Sequence, residues 1–477
     1  MAYFSRVNYD YKGRYLFEGN LRYDGSSRFL KGHRWVLSPS ISLGWRVSEE
    51  PFFQPLKGWW ENLKIRASWG QLGNQQMSSY YPAIRTIDTS GKSSYLLGGP
   101  NPSVATISAP VSSGLTWERS IQKNIGVDMT FLKGKLDFSA EGYIRDTKDM
   151  LTAGMPLPST YGYSTAPQEN IADLRTKGYE LTVSWKDSFK LAGKTFHYNA
   201  SFLFSDYVSH ITKFDNPDQL FAKTYWVGQK YGDIWGYHVD GLFASDAEGA
   251  AYDAAIDASA VNQYQTGGNK AGDVHYIDLD GNGKIEASTA AKGDGLKDTR
   301  VIGNSQPRFN YGINLGASWN GFDLTAFFQG IGHMDWYPAA DARSFWGPFA
   351  RPYQTFIPRN FHTMYWTEEN PDAYFPRPRG YIAMATNRSL GAVNDRYMQN
   401  IGYLRLKNLT VGYSLPDKLL RKVAISKLRI YFSGENLFYF APGLHSDYID
   451  PEMAATNGNL RIYPWQKTFM FGIDVTL

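Results

Sequence analysis

The 477 residues contain no cysteine, no long apolar run and no strong excess of either charge. Without cysteine, the chain has neither a disulfide framework nor a thiolate metal site. No stretch approaches the roughly 18 to 20 consecutive apolar residues of a membrane-spanning helix. The formal net charge is only +4 and no run of basic residues stands out, so no nucleic-acid partner is expected.

Signatures of catalysis are missing as well. The eight histidines show no metal-ligand spacing such as H-E-x-x-H, and no G-x-S-x-G, P-loop or dinucleotide glycine cluster occurs. Two adjacent acidic pairs, Glu49-Glu50 and Glu368-Glu369, resemble the paired carboxylates of a glycosidase, but such pairs in turns are usually solvated. We therefore expect that the protein is not an enzyme.

Aromatic residues, in contrast, are abundant at 16%, while the mean hydropathy is negative at -0.41. They recur with a period of two, which is typical of strands with one apolar and one polar face. Residues 308–319 illustrate the pattern. Their odd-numbered positions are Phe309, Tyr311, Ile313, Leu315, Ala317 and Trp319, and their even-numbered positions include Asn310, Gly312, Asn314, Gly316 and Ser318.

This alternation predicts 13 strands, many of them longer than globular strands and long enough for a tilted membrane strand. Short connections such as Lys12-Gly13 and Asn320-Gly321 alternate with long ones such as 214–307 and 335–398. Outer-membrane barrels have this pattern of short periplasmic turns and long extracellular loops. The predicted spans are 2–10, 14–24, 34–47, 62–72, 115–132, 135–151, 174–187, 194–213, 308–320, 322–334, 399–415, 426–440 and 467–477.

The predicted fold class is therefore all-β, an antiparallel transmembrane β-barrel. We expect the long loops 214–307 and 335–398 on one rim, opposite Lys12-Gly13 and Asn320-Gly321. In the strand at 174–187 the apolar face should point to lipid, and Glu180, Thr182 and Ser184 to the lumen. One alternative is a soluble all-β glycan-binding or glycoside-cleaving protein. Another is a passive, plugless porin-like barrel. The residues assigned to the lipid face are Tyr179, Leu181, Val183 and Trp185.

Several strings narrow this interpretation, among them "YFSRVNYDYKGRYLFEGNLRYDGSSRF" from Tyr3, "TWERSIQKNIGVDMTFLKGKLDFSAEGYIRDTKDML" and "RIYFSGENLFYF". Together they resemble the SusC/RagA-type TonB-dependent outer-membrane transporters of Bacteroidetes. The resemblance implies a barrel of about 22 strands with a plugged lumen. Residues 1–477 would then be the C-terminal portion, with about 13 of the last strands, lacking the plug domain and signal peptide. The strands near Tyr3 and Leu477 would both be edges.

The resemblance also implies a function. The protein would be an active importer of oligosaccharides or peptides in the cell outer membrane, in contact with its lipid. It would act with a SusD-like surface lipoprotein and with the TonB complex, which would engage the missing N-terminal part.

The string Asp278-Leu279-Asp280-Gly281-Asn282-Gly283-Lys284-Ile285 has the form of a calcium loop. Alternating oxygen ligands and a tight turn at Gly283 would bring Asp278, Asp280, Asn282 and the Lys284 carbonyl around one Ca²⁺. Position 12 is Thr289 rather than glutamate. The resemblance implies Asp298 as the remaining ligand, because related transporters place the aspartate of a "DRTVIG"-like string near that position and this sequence has "DTRVIG". Asp273 is a further candidate. The alternative is a plain Asn/Gly turn.

The connection 335–398 is rich in aromatic residues and arginine. Flat aromatic faces stack on sugar rings or anchor a partner protein, although a long loop also uses them to build its own core. The candidates for a ligand or partner contact are Trp336, Trp346, Tyr353, Tyr365 and Trp366.

Overall fold

The computed structural model describes most of the 477 residues. Those outside the described set are 78–79, 82, 93–101, 109, 155–156, 164–165, 262–267, 351–354, 356, 380, 386–387, 421–424, 447, 457–462 and 464.

The described chain forms a 13-stranded antiparallel sheet, as predicted, with strands of 9 to 24 residues. The strands, numbered in chain order, are β1 (Ala2–Tyr11), β2 (Tyr15–Gly25), β3 (Trp35–Arg46), β4 (Trp60–Asn74), β5 (Glu118–Phe131), β6 (Leu136–Ala153), β7 (Gln168–Leu191), β8 (Lys194–Lys213), β9 (Arg308–Trp319), β10 (Phe322–His333), β11 (Tyr403–Ser414), β12 (Lys427–Phe440) and β13 (Thr468–Thr476).

Hydrogen-bonded neighbours in the sheet follow the order of the chain, with β1 and β13 at the two ends of that order. The chain forms two compact units. Unit 1 comprises Met1–Glu180 and Tyr207–Lys230, and unit 2 comprises Leu181–Asp206 and Tyr231–Leu477.

In unit 1 the register places apolar side chains on one face and polar ones on the other, because neighbouring residues of a strand point to opposite faces. Paired residues of successive strands form an apolar row, which is Tyr9, Phe17, Leu43, Ala67, Ile125 and Gly142. The adjacent row on the other face is Asn8, Glu18, Ser42, Ser68, Asn124 and Tyr143.

Unit 2 has the same division. Its apolar row across β8 to β13 is Tyr198, Ala317, Leu324, Val411, Phe432 and Phe471. The adjacent row on the polar face is Asn199, Gly316, Thr325, Thr410, Ser433 and Met470. The alternation in the sequence therefore corresponds to two chemically distinct faces.

One residue of the predicted lipid face of β7 can be placed within unit 2. The indole Nε1 of Trp185 donates to the Tyr198 hydroxyl at 3.3 Å, so Trp185 shares the apolar face of Tyr198. The orientation of Tyr179, Leu181 and Val183 stays a prediction.

The long connections of unit 2 lie where the alternation predicted. Arg308 pairs with His333 at one end of the β9–β10 hairpin, and Asn320-Gly321 closes the other end. The chain before Arg308 and the chain after His333 therefore leave the sheet on the same side, opposite Asn320-Gly321.

Smaller elements occupy the connections. The short strands are Ile87–Asp88, Thr106–Ile107, Asp233–Tyr237, Val239–Leu242, Val274–Tyr276, Thr299–Asn304, Asp335–Trp336 and Gln399–Asn400. The α-helices are Asp246–Ala255, Arg343–Trp346, Asp417–Leu420 and Pro451–Ala454. The 3₁₀ helices are Val47–Glu49, Pro51–Leu56, Ser159–Tyr161, Gly293–Gly295, Gly347–Phe349, Phe361–Thr363 and Tyr381–Met384. Within the described part of the chain, none of the helices has the length and apolar character needed to span a bilayer.

Candidate functional site

The described parts of residues 231–307, 335–398 and 441–466 in unit 2 pack together, and we call them the long-loop assembly. They contain the largest hydrophobic core of the described chain. Its centre is aromatic: Phe375 and Tyr397 stack at 6.0 Å between ring centroids, and Trp346 meets Tyr397 edge-on at 5.3 Å. Residues far apart in sequence thus share one hydrophobic core within unit 2.

The aromatic candidates of the 335–398 connection lie mostly inside this assembly. Trp346 is 0% exposed, and its Nε1 donates to the Ala339 carbonyl at 3.0 Å. Trp336 is buried in the same core, and Trp366 is buried in a small adjacent cluster. Tyr365 is half-buried against Phe361, at 5.3 Å between centroids. Trp336 and Trp346 therefore belong to the core, whereas Tyr365 and Trp366 pack beside it. Tyr353 lies outside the described residues.

The Asp278–Asp298 segment brings three of the predicted ligands together. Carboxylate oxygens of Asp278, Asp280 and Asp298 all lie within 4.8 Å of one another. Gly281 and Gly283 adopt positive φ values of 72° and 78°, which lets the chain curl around the Asp278 side chain. The main-chain N–H groups of these two glycines donate to that carboxylate, each at 2.8 Å.

Backbone donors hold the charges of Asp278 and Asp298, and the Lys297 ammonium lies 3.7 Å from Asp280. Burial opposes ionisation of Asp278, but the glycine N–H groups outweigh it and lower the pKa of that carboxyl. Asp298 is fully buried, and its oxygens accept from the N–H groups of Leu279 at 2.8 Å and Glu286 at 2.7 Å. Such pre-positioned carboxylates are what a hard cation such as Ca²⁺ requires.

Other predicted ligands have different surroundings. The Asn282 side-chain amide donates to Asp280 at 3.0 Å, and Lys284 forms a parallel bridge with Asp257. Asp273 lies outside the three-carboxylate cluster, and its carboxylate is 3.2 Å from the Arg379 guanidinium. Burial raises the pKa of Asp273 to about 7, against the lowering influence of the Lys270 N–H and of Arg377.

Sequence reasoning missed a buried ionic cluster that joins β11 to the 441–466 connection. The Arg405 side chain is 2% exposed and contacts Asp450 at 2.6 Å and Glu452 at 3.1 Å. Lys407 reaches Glu452 at 2.7 Å. Asp450 also accepts from the Glu452 N–H and so caps the Pro451–Ala454 helix. The Asp-Pro-Glu string at 450–452 was the available signal, since it places two acids beside a helix start.

A cavity of about 420 Å³ opens in the long-loop assembly. Tyr374 and His445 stack in its wall at 4.5 Å with an interplanar angle of 5°. Phe345, Phe361 and Phe375 supply apolar surface. This volume and the mixture of apolar and polar groups suit a small organic ligand.

The polar face of unit 1 carries a second cavity, of about 520 Å³. Asn8, Glu18, Ser42, Arg66 and Asn124 line it. Arg66 contacts both Asp128, at 3.3 Å, and Glu141. Charged groups at this density require water or polar partners, so we expect this face to be hydrated.

A sheet of long strands with one apolar and one polar face, bounded on one side by long structured connections, defines the class of outer-membrane β-barrels. The family model described as "TonB dependent receptor-like, beta-barrel" matches residues 1–282. The chain belongs to this family, and its location is the outer membrane.

Individual relatives agree with this assignment. TonB-dependent receptor P3 of Formosa agariphila is 28% identical over 513 aligned residues, covering 100% of this chain and 45% of that protein. TonB-dependent receptor SusC of Bacteroides thetaiotaomicron is 25% identical, covering 100% of this chain and 43% of that protein. The chain thus spans less than half the length of these relatives.

The fold is also similar to a solved structure, that of the RagAB peptide transporter. The TM-score is 0.72 at 22% sequence identity, covering 99% of this chain and 47% of that chain.

Proposed function

We propose that the full-length protein imports oligosaccharides or peptides across the outer membrane, driven by TonB and assisted by a SusD-like surface lipoprotein. TonB engages an N-terminal part of the protein in this proposal, not these 477 residues. Family membership supports energy-driven import, and the resemblance of the sequence to SusC/RagA-type transporters supports a lipoprotein partner.

The observation that carries the proposal is the polar face of unit 1. Its ion pairs and its cavity of about 520 Å³ suit a water-filled lumen, while the opposite apolar face suits lipid. The stacked Tyr374–His445 pair supports a first contact for solute in the long-loop assembly, because flat aromatic surfaces bind sugar rings and peptide side chains.

Uptake by cells expressing the full-length gene tests the proposal. Labelled pools of oligosaccharides and of peptides are compared in cells with and without the gene, and with and without TonB. We expect one pool to enter only when both are present. Uptake independent of TonB would favour a passive pore, and uptake independent of the gene would overturn the proposal.

Two variants locate the contact. Tyr374→Ala and His445→Ala should each reduce uptake several-fold, since each removes half of the stacked pair. His362→Ala is the matched control. His362 is exposed in the same assembly, and it is not one of the described residues that line the cavity.

We also propose that Asp278, Asp280 and Asp298 bind one Ca²⁺. The convergence of their oxygens within 4.8 Å supports it, and so do the tight turns at Gly281 and Gly283. The ion would stabilise the long-loop assembly and would have no direct role in transport.

A further inference from the structure

The connection between β3 and β4 exposes large apolar side chains. Phe52 is 65% exposed, Trp59 51% and Leu56 38%. The β1–β2 and β9–β10 connections, Lys12–Arg14 and Asn320-Gly321, are by comparison short turns. The Arg46 guanidinium donates to the Gly13 carbonyl at 3.1 Å, which places the β3–β4 connection on the same rim as the β1–β2 turn.

This connection is held against the apolar side of the sheet. Glu50 accepts from the Tyr15 hydroxyl at 2.7 Å and from the Trp45 Nε1 at 3.2 Å. Tyr15 and Trp45 are cross-strand partners on the apolar face of β2 and β3. Because their polar tips meet at Glu50, the Pro51–Leu56 helix begins at the edge of the apolar face rather than over the polar one.

The other end is equally fixed. Phe53 is buried and packs edge-on against Trp60 at 5.2 Å, and Trp59 stacks on Phe131 at 5.9 Å. The Leu132 N–H donates to the Trp59 carbonyl at 2.8 Å. The exposure of Phe52, Leu56 and Trp59 therefore belongs to an ordered element anchored at both ends.

Charge within the connection is largely neutralised. Glu49 contacts Arg46 at 3.2 Å and Lys57 at 3.3 Å, and Glu50 contacts Arg14 at 3.4 Å. Both acids of the element are therefore paired, and little net charge holds it in bulk water. Exposed apolar side chains on a fixed, nearly neutral element mark a contact surface.

We propose that residues 47–59 form an interfacial membrane element. In it Phe52, Leu56 and Trp59 insert at the headgroup–acyl boundary of the phospholipid leaflet that faces the periplasm. The surface is continuous with the apolar strand face, which already contacts lipid in an outer-membrane barrel, and short turns lie on the periplasmic rim. Trp59, Tyr11, Tyr15 and Trp45 form part of an aromatic girdle at this depth. The inference rests on outer-membrane location and does not depend on the substrate imported.

Spin labels attached to introduced cysteines test the proposal. Phe52→Cys and Leu56→Cys are made in a cysteine-free version of the full-length protein, which is reconstituted in phosphatidylethanolamine/phosphatidylglycerol vesicles. Collision rates with oxygen and with a water-soluble nickel chelate report the depth of each label. Leu43→Cys, on the apolar face of β3, is the lipid control, and Lys12→Cys, in the β1–β2 turn, is the water control.

We expect the oxygen-to-nickel ratio at Phe52 and Leu56 to exceed that at Lys12 by about threefold or more and to stay below that at Leu43, as for an interfacial side chain. A ratio equal to that at Lys12 would place the element in water and overturn the proposal. Low collision rates with both reagents would mean that protein covers the surface, which also overturns it. A water-like ratio at Leu43 would instead contradict the barrel placement itself.

Discussion

The strand sheet and the long-loop assembly differ in where their apolar side chains go. On the apolar face of the sheet, Leu43 is 55% exposed and Ile430 49%. In the long-loop assembly, Trp346 and Tyr397 are 0% exposed and Phe375 1%. The sheet depends on a bilayer to cover its apolar face, whereas the assembly buries its own core in the manner of a soluble domain.

This difference separates two sources of stability in one chain. Removing a buried ring should destabilise the assembly in any solvent, because a cavity forms in a packed core. Removing a ring from the apolar face of the sheet should matter little, because lipid is fluid and fills the space.

The largest effect is expected for Trp346→Ala. Loss of a fully buried indole should lower the free energy of unfolding of the long-loop assembly by about 3–5 kcal/mol. Hydrogen exchange followed by mass spectrometry should show faster exchange across 335–398, with β9 and β10 unchanged. Phe471→Ala, on the exposed apolar face, is the control and should leave both regions protected. If the two variants increased exchange equally, the proposed difference between the core of the assembly and the apolar face of the sheet would be wrong.

The sheet and the long-loop assembly also differ in how far the sequence predicts them. A strand on a two-faced sheet leaves a period-two signal, so all 13 strands and the placement of the unit 2 loops followed from the sequence. The core of the long-loop assembly leaves no such signal. Phe345, Phe375 and Tyr397 meet because of tertiary packing, and no period in the sequence connects them.

The Asp246–Ala255 helix was missed although its start is marked in the sequence. The Ser245 hydroxyl accepts from the Glu248 N–H at 3.2 Å, and the Glu248 carboxylate accepts from the Ala244 N–H at 2.7 Å. This reciprocal arrangement closely resembles a capping box, which Ser-x-x-Glu predicts. The loop aromatics could be assigned to a core only from their burial, since the same residue types also bind ligands.

The next largest effect is expected for the buried ionic cluster that ties the 441–466 connection to β11. Asp450→Asn keeps a helix-capping side chain but leaves Arg405 with Glu452 as its acidic partner in this cluster. Breaking a buried pair costs 3–5 kcal/mol, and the remaining acid should hold the loss to about 3 kcal/mol. The rate of proteolytic cleavage within 441–466 is the measurement. Asp24→Asn is the control, because its partner Arg22 is 60% exposed. An equal increase in cleavage within 441–466 for the Asp24→Asn protein would contradict the prediction.

A third prediction concerns the two faces of the sheet. Leu324 and Thr325 are adjacent and exposed in β10, but Leu324 lies on the apolar face and Thr325 on the polar one. Leu324→Arg should destabilise the protein folded in phospholipid vesicles by about 2 kcal/mol, because arginine would then face lipid. Thr325→Arg should cost much less. Urea titration of folding into vesicles measures both, and the reverse order would mean that the faces are assigned to the wrong sides.

The smallest effect is expected from Ca²⁺, and it should be confined to the long-loop assembly. Oxygen-ligand sites in extracellular modules bind Ca²⁺ with dissociation constants of roughly 0.1–1 mM. At about 1 mM Ca²⁺ the gain in stability is then roughly 0.4–1.4 kcal/mol, from preferential binding to the folded state. Hydrogen exchange over 278–298 with Ca²⁺ or with chelator should detect this gain, while exchange in β9 and β10 stays unchanged.

Asp280→Asn should abolish the response, since it removes one carboxylate whose backbone hydrogen bonds are local. Asp294→Asn, an exposed acid of the same loop outside the three-carboxylate cluster, should preserve it. Equal protection of the wild type and of Asp280→Asn would place the ion outside this cluster. If Ca²⁺ protects neither protein, the segment is a plain turn. In that case the glycine N–H groups and the buried Asp298 suffice to hold it, and the assembly is stabilised by its aromatic core and ion pairs alone.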